Sequence, residues 1–211
     1  PFSVVCPRIS VSGSRPSSAT QDTLYATQTL AASGGTGPYT WTVVSGALPT
    51  GLTLTSGVTS TTATVSGTPT VVQSSSFTIR TTDANGCVKD TSYTIAVGCP
   101  VITITPASVG SFTQYAAISA VTFSAAGGRS PYTWSATGLP AGLTLSNGGV
   151  LTGAPTAAPG NYNATINLTD NSGCPGSRGY TITINCPPGT VTRSSLPNGT
   201  VGTASTSPRL P

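Results

Sequence analysis

Apolar and polar residues alternate along this chain in short runs, each closed by Gly, Pro or Asn. FTIRTT (Phe77–Thr82), YTIAV (Tyr93–Val97), ATINLT (Ala164–Thr169) and YTITIN (Tyr180–Asn185) are the clearest. A period of two puts every second side chain on the same face of a strand, so each run predicts a strand with one dry and one wet side. The dry side is expected to hold Phe77, Ile79 and Thr81, then Tyr93, Ile95 and Val97. Later in the chain it is expected to hold Tyr162, Ala164, Ile166 and Leu168, then Tyr180, Ile182 and Ile184. Thr165 and Asn167, between them, should face water. Two further strands are predicted over about Leu24–Ala32 and Ile118–Ala126. Val, Ile, Thr and Tyr fill these runs, and they suit a pleated, half-buried surface. The fold class that follows is all-β.

The pattern occurs twice. GGTGPYTWTVVSGALPTGLTL from Gly34 returns as GGRSPYTWSATGLPAGLTL from Gly127. VSGTPT (Val65–Thr70) returns as LTGAPT (Leu151–Thr156), and FTIRTTDANGC as ATINLTDNSGC. Cys87 and Cys174 lie 87 positions apart, a spacing that suits a whole small domain and is too long for a solenoid unit. The strands of each unit pair Tyr39 with Trp41 and Tyr132 with Trp134 on one face, which predicts two sheets closing over a tryptophan.

These residues carry a resemblance. GGxxPYxW and LPxGLxL, with VSGTPT and FTIRTTD, are similar to the immunoglobulin-like repeats found in tandem in large bacterial surface proteins and haemagglutinins. The resemblance implies extracellular sandwiches used as stalk, spacer or adhesion modules, with no catalytic activity. The chain then divides into a first immunoglobulin-like domain over 7–99 and a second over 100–186, with a short linker at Gly98–Pro100. Residues 1–6, PFSVVC, are expected to be the terminal strand of a partial repeat, since YTIAVGCP and YTITINCP end the same way. They carry no signal-peptide pattern. Residues 187–211 are expected to open a further unit or to act as a donor strand, although Pro208 falls where a central strand would begin.

The five cysteines are of two kinds: Cys6, Cys99 and Cys186 at repeat boundaries, Cys87 and Cys174 in the turns between the last two strands. Cys87 and Cys99 are separated by a full strand, roughly 40 Å at about 3.3 Å per residue, whereas a disulfide needs Cα atoms within about 7 Å. In a sandwich the start of the first strand and that last turn share one pole. Cys6–Cys87 and Cys99–Cys174 are therefore the expected pairs, with Cys186 left for an intermolecular bond. Disulfides of this kind point to an oxidising, extracellular setting.

Composition removes most other functions. There is no His, Glu or Met, and 6% of residues are charged. The only carboxylates are Asp22, Asp83, Asp90 and Asp170, with Asp83 and Asp170 in equivalent turns of different repeats, so no paired acid and base is expected. DANG and DNSG resemble calcium loops, but calcium needs six to eight oxygens; Asx-turns are the expected role. No cofactor or metal is expected. The net charge of +4 is spread over isolated Lys and Arg without a basic stripe, which argues against nucleic acid. No apolar run approaches the roughly 20 residues of a membrane-spanning helix. Trp41 and Trp134 belong to the core rather than to a sugar platform, so a carbohydrate-binding module ranks last. The sequons at Asn163, Asn167 and Asn198 are weak glycosylation candidates beside an exposed Thr/Ser lattice.

The expected function is structural. One reading is the subunit of an extracellular bacterial filament, a cell-surface appendage polymerised head-to-tail from copies of itself by strand addition, with a host or neighbouring-cell surface as a further partner. The alternative is a stalk fragment of a large multi-domain surface adhesin.

Overall fold

The computed structural model describes residues 6–13, 15–57 and 60–189. All regular structure among the described residues is strand. The first domain runs β1 (Ser10–Gly13), β2 (Ala19–Thr20), β3 (Tyr25–Ser33), β4 (Thr40–Gly46), β5 (Leu52–Ser56), β6 (Thr62–Gly67), β7 (Gln73–Thr82) and β8 (Val88–Gly98). They form two sheets, in the orders β1-β3-β6-β5 and β2-β8-β7-β4. The pairing of β2 with β8 is parallel, and the chain changes sheet between β1 and β2. That crossing is fixed from the core: the Tyr25 hydroxyl accepts from the Ser17 N–H at 2.9 Å.

The second domain repeats the plan with β9 (Thr103–Thr105), β10 (Ser111–Thr113), β11 (Val121–Thr122), β12 (Ser124–Ala126), β13 (Thr133–Thr137), β14 (Leu143–Leu145), β15 (Val150–Gly153), β16 (Gly160–Thr169) and β17 (Pro175–Asn185). Here the strand expected over Ile118–Ala126 is broken. β11 pairs with β15 and β12 with β9, while Phe123 between them donates its N–H to Gly149 O at 2.8 Å. Its ring fills the space between the sheets, edge-on to Tyr180 with centroids 5.4 Å apart. Leu30 stands in the equivalent place of the first domain, inside the continuous β3.

Each domain has its own core. Leu30, Trp41, Val65, Phe77, Ile79 and Ile95 close the first; Phe123, Trp134, Leu151, Ile166, Leu168 and Ile182 close the second. Alternation does the sorting, since β7 buries Phe77, Ile79 and Thr81 and β16 buries Ala164, Ile166 and Leu168. Tyr93 and Tyr162 lie only half inside, and Thr165 and Asn167 are half-covered rather than in open water, because β13 and β17 flank β16 on both sides.

The repeated motifs are turn devices. In GGxxPY the tyrosine hydroxyl donates back to the first glycine's carbonyl, Tyr39 to Gly34 O at 3.1 Å and Tyr132 to Gly127 O at 2.8 Å. In LPxGL the glycine has φ of 93° at Gly51 and 90° at Gly142. A Cβ there would strike the carbonyl of Thr68 or Ala154. Only glycine satisfies both demands at once.

Candidate functional site: the joint between the domains

Call the end of each domain that carries its β3–β4 or β12–β13 turn the upper pole, and the opposite end the lower pole. At the upper pole a single aspartate ties two turns together. One Asp83 oxygen accepts from the N–H of Asn85 and of Cys87, both at 2.9 Å, and the other from Thr36 N–H at 3.0 Å. Asp170 does the same with Ser172, Cys174 and Arg129, each at 2.8 Å. Gly35 and Gly128 allow this approach, because a Cβ would stand 2.8 and 2.7 Å from the carboxylate.

Backbone donors stabilise the charged form. The Thr36 N–H, with those of Cys87 and Asn85, holds Asp83 below the usual carboxylate range against some burial. For Asp170 burial is the largest influence and pulls upward, yet the three N–H donors and the Arg129 charge outweigh it. The DANG and DNSG turns are thus Asx-turns in which the aspartate oxygens already accept backbone N–H groups.

Beside these turns sit the crosslinks. The structure joins Cys6 to Cys87 and Cys99 to Cys174, each with Cα atoms 5.5 Å apart, and leaves Cys186 exposed as a free thiol. Cys99 belongs to the linker, so the second bond fastens the connection itself to the upper pole of the second domain. Two disulfides fit an oxidising compartment.

The lower pole of the first domain completes the joint. Gln21 is 2% exposed, unusual for a glutamine in a turn. Its backbone N–H donates to Gly98 O at 2.9 Å, fixing the linker. Its side-chain amide donates to Thr70 O at 2.9 Å and, across the boundary, to Ser172 Oγ at 3.0 Å. Its carbonyl oxygen lies 3.9 Å from Cys174 Sγ, a packing contact, since a disulfide sulfur has no proton to give. Next to it Asp22, at φ 58°, receives Arg129 Nε at 2.7 Å and Nη2 beside it, a bidentate pair between the domains. The hydrogen bond from Arg129 holds Asp22 below its usual value, and Asp22 raises Arg129 in turn.

All four carboxylates are therefore engaged: Asp90 pairs with Arg80 on the surface of β7 and β8, at 2.8 Å to each oxygen. Sequence alone points to Asp83, Asp170 and the cysteines; it names Asp22 only as a carboxylate and gives Gln21 and Arg129 no role. The signal available was small: a Thr-Gln pair recurs at Thr20–Gln21 and Thr113–Gln114. Residues 1–5 and 190–211, and with them most of the expected donor strand, lie outside the described residues. Among the described residues no helix is long and apolar enough to cross a membrane.

The family model described as "Putative Ig domain" matches residues 4–98 and again residues 100–185. The chain belongs to this immunoglobulin-like family. Among curated proteins the sequence finds no match. Three solved structures show how far the likeness reaches. A putative alpha-galactosidase/melibiase from Bacteroides fragilis is 22% identical over 40% of this chain, with a TM-score of 0.35; the chain spans only 17% of that protein's length. Titin domains I67–I69 are 12% identical over 88% of this chain and 68% of theirs, at 0.39. The human desmocollin-1 ectodomain is 8% identical over 86% and 41%, at 0.38. With scores this low, none bears on function. What stands is a tandem pair of immunoglobulin-like sandwiches, the build of a structural or surface protein.

Proposed function

We propose that the chain is a segment of an extracellular structural rod, in which immunoglobulin-like domains stack pole on pole and hold apart whatever lies at the two ends. The stalk of a multi-domain surface adhesin is the arrangement that fits best, and the reading includes no catalysis. The observation that supports it is the joint. A flexible tether between domains needs no contacts, yet here a linker is pinned by Cys99–Cys174, by Gln21 N–H on Gly98 O, by the buried Gln21 amide and by Asp22–Arg129. Each restraint removes a freedom of bending that a spacer of fixed length must lack.

The test is a distance distribution between spin labels placed one in each domain, on the exposed Thr42 and Thr181. The reading expects one narrow peak. A distribution as broad as that of two domains on a Gly/Ser tether refutes the rod.

The second reading is a filament subunit polymerised head-to-tail, with 187–211 added as a strand to the next copy. The outer edges of β4 and β5, each hydrogen-bonded to a sheet neighbour on one side, favour it. Both domains, however, already hold their last strand, β8 and β17, in place. Strand addition would then use an outer edge rather than a vacant slot. Deleting Pro188–Pro211 decides the matter: filaments of undiminished length by electron microscopy and sedimentation exclude the tail as connector.

A further inference from the structure

The lower pole of the second domain copies the surface that the first domain offers to the second. Gln114 N–H donates to Asn185 O at 2.9 Å, as Gln21 does to Gly98 O. The Gln114 amide donates to Ala157 O at 3.0 Å, as Gln21 does to Thr70 O. Tyr115 N–H reaches Pro155 O at 2.8 Å, as Asp22 reaches Pro69 O at the same distance. Tyr115 and Asp22 share the left-handed backbone, at φ 62° and 58°. One residue beyond Asn185 comes Cys186, just as Cys99 follows Gly98.

What differs is the covering. Gln21 gives its second amide N–H to Ser172 of the neighbouring domain, whereas among the described residues that of Gln114 has only the distant Thr156 O, at 3.5 Å. Tyr115 is 67% exposed, and Cys186 is a free, exposed thiol.

We infer that this pole is a docking surface for the upper pole of a further immunoglobulin-like domain, one whose turn carries Asp-x-x-Gly-Cys with its cysteine unclamped. The inference rests on the rod reading and supplies its next joint. In that joint Gln114 donates to the side chain at the Ser172 position, and Cys186 bonds the turn cysteine as Cys99 bonds Cys174. Tyr115 stands where Asp22 stood, so the contact is ring against turn in place of an ion pair. An intact second copy of this chain is not the occupant, because its Cys87 is already bonded to its own Cys6. The bond needs an oxidant of the disulfide class. Cys186 thiolate attacks it and releases one thiol; the partner's thiolate then displaces the second, leaving one new disulfide and two reduced thiols.

The test exploits the chain's own upper pole. Cys6→Ala unclamps Cys87 in the full-length protein. With glutathione disulfide the variant is expected to grow multimers through Cys186–Cys87 bonds between copies, found by non-reducing peptide mapping. Cys87 lies at the upper pole of the first domain and Cys186 at the lower pole of the second, with the interdomain joint between them, so the two cannot join within one chain. Adding Gln114→Ala should slow the linkage about fivefold, the worth of one hydrogen bond. Cys186–Cys186 pairs as the main product, or no effect of Gln114→Ala, overturns the inference. Should Cys6→Ala unfold the first domain, a chain with both disulfides intact and a second copy of residues 100–186 appended after Cys186 replaces it. Cys186 is then expected to bond the appended counterpart of Cys174, and a Cys186 left free overturns the inference. The rod reading survives either failure, since the spin-label distances between the two present domains do not depend on Cys186.

Discussion

Replacing Cys99 and Cys174 together by alanine removes a crosslink that closes 75 residues of chain. In the chain-entropy account a loop of that length is worth about 4.5 kcal/mol at 25 °C, near the top of the range found for natural disulfides. The Cys6–Cys87 loop spans 81 residues, and by the same account the two bonds differ by less than about 0.1 kcal/mol. Little packing is lost in either case. Cys174 and Cys87 are both buried, alanine keeps the Cβ, and the partner cysteines sit outside the cores. For a domain of this size each kcal/mol moves the midpoint by about 4–8 °C, so the second domain should melt roughly 20–35 °C lower. Differential scanning calorimetry of the double variant should show the first domain's transition in place and the second's displaced. The matching Cys6→Ala/Cys87→Ala variant should displace the first by a similar amount. A shift below about 5 °C in both, or losses differing severalfold, would mean that native-state contacts around the bond, not closure of the loop, set its worth.

Leu151 is fully buried, and Leu151→Ala should cost about 3–5 kcal/mol; urea titration followed by Trp134 fluorescence reads it. Arg129→Ala removes a surface pair worth about 0–1 kcal/mol, so the melting point should hardly move. The interdomain spin-label distribution should nevertheless broaden, and an unchanged width shows that the disulfide and Gln21 suffice. Asp22, Asp83 and Asp170 all titrate below their ordinary value. Groups with depressed folded values stabilise above the unfolded value of about 3.9 and lose that contribution as pH falls through the folded one. Stability should therefore be flat from pH 7 to 5 and fall only below about pH 4, as thermal melts across that range will show. Gly142→Ala combines a left-handed backbone with a clash on Ala154 O and should cost more than the roughly 1 kcal/mol of the backbone term alone.

Alternation made the sandwiches legible, because burial of one strand face is a local property repeated at every second residue. The tryptophans, the motif glycines and the two kinds of cysteine followed from the same repeat. The break at Phe123 did not, since it depends on which strand is opposite: β15 up to Thr122, β9 from Ser124. Gln21 was hidden for a related reason. A glutamine in a turn ordinarily faces water, and this one is buried only because another domain lies across it. Sequence alone makes Asp83 and Asp170 local turn formers. Their reach to Thr36 and Arg129, more than forty residues earlier, has no counterpart in local sequence.

The crosslinks also determine where tension travels when the two ends are pulled apart. Force entering at Cys6 passes through its disulfide to Cys87, runs along β8 to Cys99, crosses to Cys174 and leaves along β17 to Cys186. That covalent route uses two strands and two sulfur bridges. The segments of 81 and 75 residues that close the loops hang outside it, so their contour, about 3.5 Å per residue, cannot be drawn out. Such a molecule is close to inextensible while oxidised, whatever the stability of its cores. Reduced, it becomes a chain of two domains that can each unravel. Single-molecule pulling before and after dithiothreitol should show long unfolding steps only in the second case.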